Sequence, residues 1–279
     1  MRSPSAPPRP LGLLPSEVAI FEAFVVPRYM ALFGEPLLDQ LALGGDAQVL
    51  HLHCRTGYPD REMLSLLSDA HLYGCDSSVA ALELARTKAV LKAGSKAEYR
   101  PFDGYPLQYP DGAFSHAITL HPLAAPEERK RLLGELARVL APRGQLLLAM
   151  PTRGSFQEVA DLIREYALKE ESGEVQDAVE AAVLVRPTVE ELTQEVEAAG
   201  FNFVEIEVKT RTLKFQSGRD FFEDPITRLM LVPEFRLNLA LRDVDAVFAY
   251  VRDAADKYFS RSTFDLTVNV TSLSARRAG

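Results

Sequence analysis

The sequence predicts an α/β fold, a doubly wound sheet of parallel strands with helices on both faces. Three observations carry that expectation. Strand-like and helix-like stretches alternate strictly from residue 49 to 150, as βαβ units do. The strand-like stretches, such as VLHLH at 49–53 and QLLLAM at 145–150, are largely apolar, as strands covered on both faces must be. Two later stretches, 203–215 and 264–273, alternate in polarity and read as a closing antiparallel pair.

Each element has a local reason. The opening MRSPSAPPRP is proline-rich and lacks the apolar run of a secretory signal, so residues 1–14 read as a disordered tail. Residues 15–45 read as helical, with Ser16 as N-cap, Glu17 in the first turn, and breaks at Pro27 and Pro36. Strands are expected at 49–53, 71–75, 98–100, 115–120 and 145–150, with helices at 60–68, 77–91 and 126–140 between them. Pro142-Arg143-Gly144 reads as the turn that launches the fifth strand. Helices follow at 156–171 and 175–184. Thr188 caps another, with Glu191 as its capping-box partner and Gly200 as its stop. A mostly helical excursion, 218–260, separates the last two strands, and loops of that length are commonly lids, binding elements or interfaces. Residues 15–279 are therefore expected to form one domain. It comprises N-terminal helices at 15–45, a core at 46–151, an acidic helical insertion at 152–187, and an insertion at 217–262 in the closing hairpin.

Composition narrows the function. With 279 residues, 47% of them hydrophobic and 25% charged, the chain has the make-up of an ordinary globular protein. A net charge of −8 opposes nonspecific nucleic-acid binding, which needs a basic face. The acidity is concentrated: residues 156–199 hold twelve acids against three bases, an expected solvated helical surface or a docking face for a basic partner. Two cysteines, no secretory signal and no apolar run of the roughly 20 residues that span a bilayer predict a cytoplasmic protein with free thiols. The five histidines and two cysteines lack metal-ligand spacing, so no metal site is expected.

VLHLHCRTG, residues 49–57, resembles the first motif of the class I S-adenosylmethionine-dependent methyltransferases: hydrophobic-hydrophobic-Asp-hydrophobic-Gly-x-Gly-x-Gly. Only the third glycine, Gly57, is kept. His51 stands for the acid, His53 for the first glycine and Arg55 for the second. YGCDSSVAALELAR (73–86) resembles the second motif, and FDGYPLQYPDGAFS (102–115) the stretch before the fourth strand, with Ser115 at an acid's place. LHPLAAPEER (120–129) and RVLAPRGQLLLAMP (138–151) continue the series in the family's order and spacing. The resemblance covers residues 37–151 and implies a Rossmann-like, seven-stranded methyltransferase sheet.

It also implies site residues. Asp76, with Ser77 after it, would accept from the cofactor's ribose hydroxyls. Asp103 would face the adenine amino group beside Phe102, and Gly57 would shape the cofactor turn. His121, at the end of the fourth strand, would be the general base of an active enzyme. The implied cofactor is S-adenosylmethionine. His51, His53 and Arg55 rewrite the end that would hold its methionine moiety, since the family's acid helps hold the ammonium group there. Two functions follow. The first is a degenerate methyltransferase-fold protein, a scaffold or regulatory partner that grips another protein, or a second copy of itself, through the acidic helices or the hairpin insertion. The alternative is an active methyltransferase on a small molecule. A third reading puts an adenine nucleotide in the pocket, its phosphates on the basic loop.

Overall fold

The computed structural model describes residues 12–67, 69–90, 96–122 and 125–279. Most of the expected tail, residues 1–11, lies outside them. Seven strands form one sheet: β1 (Gln48–Leu52), β2 (His71–Asp76), β3 (Lys96–Pro101), β4 (Phe114–Leu120), β5 (Leu140–Pro151), β6 (Phe201–Phe215) and β7 (Phe264–Arg277), in the order β3-β2-β1-β4-β5-β7-β6. β1 pairs in parallel with β2 and β4, β2 with β3, and β4 with β5. This is the predicted Rossmann-like sheet.

Where the sequence reading takes 15–279 as one domain, the described residues cluster into two compact units. The larger comprises 12–150, 188–209 and 270–279; the smaller comprises 151–187 and 210–269. In the larger unit, α3 (Asp60–Leu66), α4 (Val79–Val90), α5 (Pro126–Val139) and α8 (Val189–Ala198) connect the strands. Leu50 and Leu52 of β1, Leu146 and Leu148 of β5, Leu133 and Leu136 of α5 and Val196 of α8 share one core. The capping box is as expected: Glu191 N–H donates to Thr188 Oγ1 at 3.1 Å and Thr188 N–H to Glu191 Oε2 at 2.8 Å.

Three local expectations are corrected. The N-terminal helix does not break at its prolines. It runs through α1 (Pro15–Ile20), a π-helical stretch (Phe21–Met30) that contains Pro27, and α2 (Ala31–Leu38), because the wider π turn accommodates a residue without an N–H. Leu14, and not Ser16, is its N-cap, with Glu17 accepting the Leu14 N–H at 2.9 Å. Pro142-Arg143-Gly144 lies inside β5, opposite a register shift between Phe114 and His116. Arg143 takes φ 64° there, so the turn chemistry is used as a bulge.

The smaller unit packs α6 (Gln157–Lys169), α7 (Gly173–Val185), α9 (Gly218–Glu223), α10 (Val232–Leu239) and α11 (Val244–Tyr258). The aromatic excursion is core here. Phe221 is fully buried, with its ring 5.2 Å from Phe215 and 5.5 Å from Phe264. Arg186 is enclosed between the rings of Phe156 and Phe235, 4.8 and 5.9 Å away, and donates to Glu234 at 2.6 Å. Burial pushes the Glu234 carboxyl up, against the pull of Arg186.

Candidate functional site

The carboxyl ends of β1, β2, β3 and β4 converge in the larger unit, where doubly wound sheets place ligands. The turn after β1 keeps the shape of a glycine turn without its glycines. His53 has φ 59° and Arg55 φ 48°, left-handed conformations that side chains resist, and Gly57 has φ 79°. A side chain at Gly57 would sit 3.0 Å from the Ala85 Cβ and from Asp60 Oδ2, so this glycine is retained for close packing.

The three replacements are each tied into the fold. His51, fully buried, places Nδ1 2.5 Å from Asp60 Oδ1. A carboxylate only accepts, so the proton sits on Nδ1, and Nε2 is buried without a hydrogen-bond partner. Tyr99 donates to the other Asp60 oxygen at 2.8 Å. Its ring fits because Gly74 beneath it has no Cβ, which would lie 2.3 Å from the ring. The acid absent from β1 thus has a counterpart at the start of α3. His53 stacks edge-on against Phe102 at 4.9 Å. Burial, aided by Arg55 and His51 and opposed by Asp76, lowers its pKa to about 4, so it is neutral at pH 7. The Arg55 guanidinium donates to the main-chain oxygens of Leu120 at 2.8 Å and His121 at 2.9 Å, at the end of β4. A neutral His53 and a guanidinium engaged by carbonyls leave the loop poorly equipped to hold phosphates.

The other expected site residues divide. Asp76 is buried at the end of β2, its Oδ2 accepting the Arg55 N–H at 3.0 Å and its Oδ1 the Ser78 N–H at 2.8 Å. Ser77 is exposed; its neighbour Ser78 is the residue with local work. Ser78 Oγ accepts the Ala81 N–H at 3.2 Å and donates to Leu13 O at 2.6 Å, which fastens the N-terminal segment over this turn. Phe102 is partly buried and Asp103 exposed, on the rim of a groove of about 140 Å³ shaped by residues 100–109. His121 is 1% exposed, in a left-handed conformation with φ 47°. Its Nε2 lies 2.8 Å from the Tyr29 hydroxyl, and the ring of Phe33 packs edge-on at 5.2 Å.

The sequence reading brought Gly57, Asp76, Phe102 and His121 to one end of the sheet but missed Tyr29, Phe33, Asp60, Ser78 and Tyr99. Only the Ser-Ser pair before α4 gave a local hint. Ser115, where an acid was expected, bridges β1 and β4, donating to Gln48 O at 3.1 Å and accepting the Gln48 N–H at 3.0 Å. Cys54 and Cys75 are free and buried, and burial pushes both thiols up. Among the described residues, no three histidines, cysteines or carboxylates are grouped to hold a metal, and no helix is long and apolar enough to cross a membrane.

S-adenosylmethionine, the cofactor the resemblance implies, fits this site at one end only. Asp76 still offers lone pairs for ribose hydroxyls, because a carboxylate accepts about four hydrogen bonds. The methionine end presents a guanidinium and an imidazole where a cationic ammonium would have to be held.

Residues 49–144 match the methyltransferase domain family. Methyltransferase GfsG of Streptomyces halstedii is 28% identical over 134 residues, covering 47% of this chain and 48% of that protein; the chain spans about half the length of the curated relative it matches. The YcgJ protein of Bacillus subtilis superimposes with a TM-score of 0.58 at 12% identity, over 88% of this chain and 97% of YcgJ. A Haloferax volcanii complex of the Trm112 methyltransferase activator with its partner protein gives a TM-score of 0.54 at 15% identity, covering 95% and 96% of the two chains. Those structural likenesses establish a Rossmann-like methyltransferase fold, and the family match is confined to residues 49–144.

Proposed function

We propose that this protein is a non-catalytic member of its family that acts as a scaffold or regulatory partner. One observation carries the reading. The Arg55 guanidinium holds the carbonyls of Leu120 and His121, so the chain supplies its own cation in the region where the family's cofactor places its methionine moiety. The expected general base is occupied too: His121 is engaged by Tyr29. A fold that can be solved in complex with an activator protein supports a partner-binding role, as do the acidic helices.

A second reading, an active methyltransferase on a small molecule, draws on the left-handed turn that His53 and Arg55 preserve and on the retained Gly57 and Asp76. In that case His121 is the residue to serve as base, after release from Tyr29.

Calorimetry with S-adenosylmethionine and S-adenosylhomocysteine separates the two. The expected result is no heat with the wild-type chain and micromolar binding after His53→Gly with Arg55→Gly, which opens the turn while leaving the His51–Asp60 pair in place. Micromolar binding by the wild type, with methyl transfer to any acceptor, overturns the proposal.

A further inference from the structure

The exposed edge of the sheet carries a sequence that is complementary to itself. β6 ends the strand order, and at 15 residues it is long for an edge, whose unpaired main-chain groups invite pairing with another chain. Phe203, with φ 50°, interrupts the alternation near its start. From residue 204 to 212 the strand reads Val-Glu-Ile-Glu-Val-Lys-Thr-Arg-Thr. Glu205, Glu207, Lys209 and Arg211 are at alternate positions and share one face, and Val204, Ile206, Val208, Thr210 and Thr212 share the other. One face is thus wholly charged and the other wholly β-branched.

The order of the charges selects a geometry. A second β6 running antiparallel about Val208 sets Glu205 opposite Arg211 and Glu207 opposite Lys209, each pair occurring twice by symmetry. On the other face it sets Val208 against Val208, Ile206 against Thr210, and Val204 against Thr212. A parallel copy in the same register sets like charges side by side. Edge strands commonly carry charges that repel a second sheet; here the two signs are segregated end to end, so that repulsion becomes attraction in one orientation only. That orientation has the two-fold symmetry of an isologous dimer. Within the chain, Lys209 is satisfied only locally, by Glu207 at 3.0 Å, and among the described residues neither Glu205 nor Arg211 has an ionic partner.

We propose that the protein forms a two-fold homodimer by antiparallel pairing of β6 with β6, centred on Val208, which makes one continuous sheet across two copies. The surface differs from the acidic helices and the hairpin insertion, and the proposal stands whether or not the chain binds a cofactor.

Sedimentation velocity on the full chain tests it. The wild type sediments as a dimer at tens of micromolar and dissociates as salt is raised. Glu205→Lys with Glu207→Lys sediments as a monomer, as does Lys209→Glu with Arg211→Glu, each with an unchanged circular dichroism spectrum because these positions are on the surface. An equimolar mixture of the two variants restores the dimer, because opposite signs face each other again. Val208→Cys gives an intermolecular disulfide under air, since cross-strand partners are within disulfide reach. A monomeric wild type, dimeric charge variants, or a mixture that stays monomeric each overturns the proposal.

Discussion

Two partly or fully enclosed arginines, one in each unit, are neutralised in different ways. Arg186, in the helical unit, faces a buried carboxylate, Glu234, between two aromatic rings. Arg55, at the strand ends, faces main-chain carbonyls. A buried ion pair locks its partners together, because removing one strands the other's charge. Carbonyls at a strand end are neutral acceptors that water or a ligand cation satisfies equally well. The first arrangement belongs to architecture. The second lies at the strand ends, where doubly wound sheets place ligands.

The largest expected effect sharpens that contrast. Arg186→Ala, measured by denaturant unfolding, is expected to cost about 3–5 kcal/mol by leaving Glu234 unpaired, whereas Arg55→Gly is expected to cost less, about 1–2 kcal/mol, because it leaves neutral carbonyls and not a buried charge without a partner. Equal losses would erase the distinction. His51→Asp comes next. It restores the family's acid, but at a position that faces Asp60 at 2.5 Å, and two adjacent buried carboxylates resist joint ionisation. A loss of roughly 3 kcal/mol is expected, with recovery when Asp60→Asn is added; no loss would mean that Asp60 is not His51's anchor.

A further effect is pH-dependent. The His53 pKa falls from 6.5 unfolded to about 4 folded, so between those values the unfolded chain binds more protons. Stability is therefore full above pH 6.5 and declines as pH drops towards 4, by up to about 3 kcal/mol. His53→Asn should flatten that part of the curve. An unchanged slope would place the titration elsewhere, with His116, whose pKa is also lowered by burial, as the first alternative.

The charge-swapped β6 variants probe a third kind of region, one where charge lies on the surface and is at most locally paired. They should alter assembly while leaving stability alone.

How much of this was legible in the sequence follows the range of the interactions. Strand and helix periodicity, the Thr188–Glu191 cap and the stop at Gly200 depend on residues a few positions apart, so the fold class and the order of elements could be read directly. The β6 charge palindrome is local too, although only the strand order shows that it lies at an edge. Pro27 misled because a π turn accommodates it, and Pro36 because it is carried within the last turns of α2. The candidate site was only half legible. His51, His53 and Arg55 announce themselves as departures from a motif, but the partners of His51 and Arg55, Asp60 and the end of β4, are 9 and 65 or 66 residues away, and the latter are main-chain atoms without sequence identity. The sequence by itself determined which elements form and which positions depart from the motif. The tertiary structure decided what the replacements do instead, because a hydrogen bond is fixed by where the fold brings two groups and not by how near they lie along the chain.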